Sequence, residues 1–213
     1  MLDRNPDAAH DASRFSSPFP NGLAAPDGAP PGVILRAMIL DGVMTARECL
    51  KGCLDAEAVA AARRELREAR WCFKVFRKAM GPAYPARAAR LQAGSRAMKH
   101  LARLLMADPA PPPEAVAELV ASADALLRRC EGDAVALAPF QAGTAQCKAH
   151  LRKLRRKAAD VVAGQMQGED AQDSLQKLQA RIALISHVLD LSGVAVPAEP
   201  EPAQAPPPAD PAD

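Results

Sequence analysis

VAAARRELREARWCFKVFRKAM, residues 59 to 80, carries two periodic patterns at once. Val59, Ala62, Leu66, Ala69, Phe73, Phe76 and Met80 recur at alternating steps of three and four, the spacing of a helix that buries one seam against its neighbours. Arg63, Arg67, Arg70, Lys74 and Arg77 recur with the same period and, at about 100° per residue, fall within about an 80° arc beside that seam. The segment therefore reads as a packed helix whose cationic stripe meets either water or an anion. Asp55 is placed to cap it, and Gly81 with Pro82 to end it, which predicts a helix over 56–80.

Five further segments share the helical period. The first runs from about Val33 to Leu54, with Leu35, Ile39, Ala46, Leu50 and Cys53 inward. Another covers about 83–107 on a core line of Ala88, Leu91, Ser95, Met98, Leu101 and Leu105, where the small pair Gly94 and Ser95 predicts close approach of a neighbour. A third, after the DPAPPP linker, spans Glu114 to about Arg129 with Val116, Leu119, Ala123 and Leu126 apolar. The fourth, roughly 140–164, is seamed by Leu151, Leu154, Ala158 and Val161. The last, about 170–192, uses Leu175, Leu178, Ile182, Ile185 and Leu189 before Ser192 and Gly193 end it. β-Branched residues are sparse and no alternating run occurs, so no strand is expected. Short connections between helices predict an all-α, antiparallel bundle of about six helices.

The 20 prolines of the 213 residues gather near the ends. Residues 1–32 and 194–213 offer almost no large apolar side chains against the entropy of ordering, and read as disordered tails around a helical domain at 33–193. The net charge of +2 averages opposite signs. Twelve Lys or Arg face three Glu over 56–107, whereas 193–213 holds Glu199, Glu201, Asp210 and Asp213 and no base. A basic folded part favours an anionic partner, and the acidic tail can screen it when that partner is away.

Most enzyme chemistries find no footing. His10, His100, His150 and His187 have no metal-ligand spacing. Cys49, Cys53, Cys72, Cys130 and Cys147 form no C-x-x-C pair and suit small buried positions in a reduced, cytoplasmic setting. No Gly-rich phosphate loop is present. Glu65 and Glu68 sit beside arginines as intrahelical ion pairs. GVILRAMIL at 32–40 is too short, and too interrupted by Arg36, to span a bilayer. No enzymatic activity, cofactor, metal or membrane association is expected.

Cations remain. Arg63, Arg64, Arg67, Arg70, Lys74 and Arg77 can be joined by Arg96, Lys99 and Arg103 on the next helix and by Lys148, Arg152, Arg155 and Arg156 on the fifth. Turned to one groove, they would hold on the order of ten charges and attract a phosphate-bearing polymer by releasing its counterions. Cations on exposed helix faces are also commonly solvated and nothing more. Arginine's fork suits phosphate oxygens, and the stripe borders the packing seam instead of opposing it.

The stretch from Val59, with Arg63, Arg64, Leu66, Arg67, Arg70, Gly81 and Tyr84, resembles the CHAD family, the conserved histidine α-helical domain, whose helix reads like V-H-x-A-R-K-x-L-K-x-x-R. PGVILRAMILDGVMTARECL looks like that family's first helix, so the resemblance covers about 32–107. The family's later signature, similar to L-H-x-L-R-K-x-x-K, is matched in apolar spacing by LQKLQARIALISHVLD from Leu175. There Gln176, Gln179, Ala180 and Ala183 replace the polar signature residues, and Ala60 stands at the first histidine position. The resemblance implies a shortened, divergent member lacking the signature histidines. It also implies an all-helical bacterial domain with a basic channel for inorganic polyphosphate, associated with polyphosphate granules. Anion-binding residues would then be Arg63, Arg64, Arg67, Arg70, Lys74, Arg77, Arg96, Lys99, Arg152, Arg155 and Arg156. Two alternatives stay open: a nucleic-acid binder, disfavoured by 3% aromatics, and a helical scaffold or homo-oligomer covering an incomplete last seam.

Overall fold

Asp55 sets the helix that follows it: its carboxylate accepts the Ala58 N–H at 2.7 Å, satisfying one of the donors that a helix start leaves open. This is seen in a computed structural model that describes residues 28–52, 54–139, 142–165 and 169–196. The helices are α1 (Pro31–Lys51), α2 (Ala56–Val75), a single turn α3 (Arg77–Met80), α4 (Tyr84–Leu105), α5 (Pro113–Val135), α6 (Thr144–Asp160) and α7 (Glu169–Leu191). The protein is an all-α helical bundle of six long helices, with no strand among the described residues. None of these helices is long and apolar enough to cross a membrane.

The α2 seam is as predicted, with Val59, Ala62, Leu66, Ala69, Phe73 and Phe76 buried. The helix is not continuous to residue 80, however. Trp71, Cys72, Phe73, Val75 and Phe76 are all buried, a wider arc than one helical face hides, and the chain breaks at Phe76, whose N–H reaches back only three residues to Phe73 O at 3.2 Å.

α1 packs on α2 and α5, α2 on α4, and α4 on α5, while α6 and α7 form a hairpin that leans on α1 and α2. Helices joined by turns this short and packed along their lengths run antiparallel. α6 departs from the expectation that successive helices are neighbours, since it packs chiefly on α7 and not on α5. Close approach between helices is built in at two glycines. At Gly94 a Cβ would lie 3.1 Å from a Leu127 methyl of α5, as the small pair in the sequence suggests. At Gly42 a Cβ would meet the Glu65 carbonyl oxygen of α2 at 2.9 Å. Helix propensity alone makes Gly→Ala favourable by about 1 kcal/mol. Gly42→Ala is nevertheless expected to destabilise by about 1–3 kcal/mol in urea unfolding, because backbone must move to admit the methyl.

Several boundaries shift. α5 continues past Arg129 through Gly132 to Val135, and its buried positions are Ala123, Leu127, Cys130 and Ala134, with Leu127 in place of the expected Leu126. α6 begins at Thr144 and ends at Asp160, followed by a π-turn over Val161–Gln165. In α7, Leu184, Ile185, Val188 and Leu189 are buried, so this part of the last seam is covered within the chain. Ser192 ends that helix by donating its hydroxyl to Val188 O at 2.7 Å.

The expected tails reach only their inner edges here, because 1–27 and 197–213 lie outside the described residues, as do Cys53 and Gly168. Those edges are not tail-like. The Gly28 N–H bonds to Leu191 O at 3.2 Å, Ala29 is buried, Pro31 and Gly32 are already helical, and Val194 and Val196 pack on the core.

Candidate anion-binding groove

Acids and bases are unevenly shared between the faces of the bundle. On the α1–α4–α5 side, Arg47 binds Asp124 and Glu131, and Arg87 and Arg90 both reach Asp133, at 3.4 and 2.7 Å. Hydrogen bonding to Asp124 holds the Arg47 pKa above its ordinary value, and Asp133 does the same for Arg90. Those cations are neutralised by protein.

The opposite condition holds on α2, which packs on α4, α6 and α7. Arg70 and Lys74, one turn apart on α2, are both half-buried. Burial lowers the Arg70 pKa, and Arg96 of α4 lowers it further against a small opposing effect of Tyr84. Burial likewise depresses Lys74, with Arg181 of α7, Arg70 and Lys157 of α6 adding to it. Arg181 is lowered by burial and by Arg70. His150 of α6 is lowered by burial, then by Lys74, Lys153 and Arg181. No carboxylate figures among the groups acting on these four. Like charges held together out of bulk water raise the free energy of the empty site, and a bound anion relieves it.

Trp71 fixes the geometry at the centre. Two guanidiniums lie over its indole, Arg67 at 5.7 Å and Arg181 at 5.2 Å from the ring centroid, an attraction of about 0.5–2 kcal/mol each. The Arg181 Nε is buried and has no hydrogen-bond partner. Lys157 and Arg181 also line an open cavity of about 450 Å³ between α6 and α7, together with Asp160, Ser174 and Lys177.

No protein-family model, curated protein or solved structure matches this chain.

Of the cations predicted from sequence, Arg70, Lys74 and Arg96 come together, and Arg67 borders them through Trp71. Arg77 lies over Tyr84 at 5.8 Å, the ring that also acts on Arg70, and lines a second cavity with Lys78, Gly81 and Pro85. Arg63 is exposed on the first turns of the stripe, while Arg64 and Lys99 are half-buried without a contact that ties them to the group. On α6 the groove takes a different flank from the one expected. At about 100° per residue, His150 and Lys157 lie on one side of the Cys147, Leu151 and Leu154 seam, Lys148 and Arg155 on the other, and Arg152 and Arg156 on the far side. Arg152 and Arg156 are accordingly exposed, and Arg155 half-buried.

Arg181 is the groove residue that sequence reasoning misses. Its signal is present, for it stands three residues after Leu178 and four and seven before Ile185 and Val188, a guanidinium inside an apolar face. Metal and thiol chemistry gain nothing from the structure. Among the described residues no cluster of His, Cys, Asp or Glu could hold a metal. Burial pushes the thiols of Cys130 up to about 12, of Cys147 up to about 11, and of Cys72 and Cys49 upward as well, so they are not nucleophiles near neutral pH.

Proposed function

We propose that this chain is a non-enzymatic, polyanion-binding helical domain, a shortened and divergent CHAD relative of the bacterial cytoplasm whose ligand is inorganic polyphosphate, at polyphosphate granules. The observation that carries the reading is that Arg70, Lys74 and Arg181 are held half out of water among other cations, with Arg96 acting on Arg70 and Lys157 on Lys74 and no carboxylate acting on any of the three. Cations that repel one another in this way, with guanidinium forks among them, are matched by closely spaced phosphates. Trp71 is only 8% exposed, so it supplies no stacking platform, which favours a base-free polymer over single-stranded nucleic acid. Calorimetric titration with long-chain polyphosphate tests the reading. Displaceable binding that weakens about a hundredfold between 50 and 200 mM salt is expected for around five phosphate contacts, and absence of binding at 50 mM salt would overturn it.

His150 makes the affinity pH-dependent. Its pKa is lowered in the empty protein by burial and by Lys74, Lys153 and Arg181, so the ring is neutral at pH 7.5 and gains charge only below the ordinary histidine range. An anion in the groove offsets those cations and raises that pKa, so affinity must increase as pH falls. Binding is expected to tighten several-fold between pH 7.5 and 5.5, with His150→Gln flattening the profile. The sign for stability is opposite. A histidine with a depressed folded pKa contributes stability that is present above the unfolded value and lost as pH falls through the folded one. The Tm of the empty protein should therefore drop on acidification, less so in His150→Gln.

A further inference from the structure

The cavity between α6 and α7 adjoins the groove through two shared side chains. Arg181 both lines it and is acted on by Arg70 while acting on Lys74, and Lys157 both lines it and acts on Lys74. Two further lining groups, the Ser174 hydroxyl and Lys177, could donate to an oxygen-rich anion. The Arg181 side chain lines the cavity although its Nε is buried and without an acceptor.

Carboxylates enter at this cavity. Asp160 belongs to its lining, and Lys177 is paired with Asp173 one turn earlier on α7. A uniformly charged polyanion running from Arg96 past Arg70 and Lys74 gains cations as far as Arg181 and Lys157, and then meets two carboxylates. Continuing past them is repulsive. Stopping there is not, since a terminal phosphoryl group carries more charge and more free oxygens than an internal one, and so makes better use of Arg181, Lys157, the remaining donors of Lys177 and a hydroxyl.

We infer that this cavity is a terminal-phosphate subsite, in which Arg181, Lys157, Lys177 and Ser174 hold the end of a linear phosphoanhydride chain, so that the ligand binds end-on and does not thread through. The inference rests on the polyphosphate-binding reading of the groove. It assigns a chain-end specificity that cations spread over a surface do not have, because such cations respond to charge alone.

The test compares linear tripolyphosphate with cyclic tetrametaphosphate, which has similar charge and no chain end, by calorimetry near pH 7.5 and 0.1 M salt. The wild-type protein should bind the linear ion at least tenfold more tightly. Arg181→Gln should remove most of that preference. Lys157→Gln, at an exposed position that leaves the core untouched, should reduce it as well, which guards against misfolding of the Arg181 variant. Equal affinity for linear and cyclic ions, or a preference that survives both substitutions, overturns the end-on subsite while long-chain binding upholds the groove. Failure of the wild-type protein to bind long chains at all overturns both.

Discussion

Arg70→Glu/Lys74→Glu is expected to weaken long-chain polyphosphate binding by about a hundredfold or more near 0.1 M salt. Removing one charge-assisted hydrogen bond costs roughly 1.5 kcal/mol, and about 1.4 kcal/mol corresponds to a factor of ten. The two positions are adjacent on one helix face and reach cations of three other helices, Arg96, Lys157 and Arg181. The same variant discriminates against a trivial explanation. New carboxylates placed among those cations would pair with them, so the Tm of the empty protein should hold or rise while affinity collapses. Affinity within threefold of wild type, measured by calorimetry, would contradict the assignment of these two side chains.

Phe76→Ala should be the most damaging single truncation in this region, costing about 3–5 kcal/mol by urea unfolding, or roughly 10 °C in Tm. Phe76 has no exposed surface and sits at the break between α2 and α3, its N–H bonded to Phe73 O and its carbonyl taken by the Met80 N–H at 3.0 Å. A cavity there would loosen both the core and the turn between α2 and α3. Phosphate-polymer affinity should fall less than stability does, since Lys74 lies on the helix before the break. A loss below about 1 kcal/mol would show that the break is not anchored by this ring.

How far the fold can be read before any coordinates follows from where its determinants lie. Heptad-like spacing in α2 and α4, the Asp55 cap, the Gly94–Ser95 approach and the Ser192 end are local or nearly local signals, and all are found. The break at Phe76 is not local. It arises because Trp71 to Phe76 must hide on several sides at once, which depends on neighbours the sequence does not name. The continuation of α5 past Arg129 through Gly132 is not local either, since Asp133 is held by Arg87 and Arg90 from α4.

The groove is legible where the cation and the seam share one helix, as for Arg70 and Lys74, and illegible where two flanks of a seam are equally charged. On α6 both flanks are basic, and only packing against α7 selects His150 and Lys157 over Lys148 and Arg155. Arg181 is obscured by its neighbours Gln176, Gln179, Ala180 and Ala183, where the resemblance expects polar signature residues. A charged residue on the apolar face of α7 is the better guide. Buried Asp41 on α1, 2% exposed, is likewise hidden in an otherwise apolar run.

Whether charge acts at one place or over the whole surface is the central question, and a salt titration of long-chain polyphosphate binding separates the two. Wild type should be compared with Lys74→Gln/Arg181→Gln and with Arg152→Gln/Arg156→Gln, which removes the same number of charges from the exposed far side of α6. The slope of log K against log salt is predicted to fall by about 1.4, some 0.7 per phosphate contact, in the first pair and to stay at the wild-type value in the second. Equal losses in the two pairs would contradict a convergent groove.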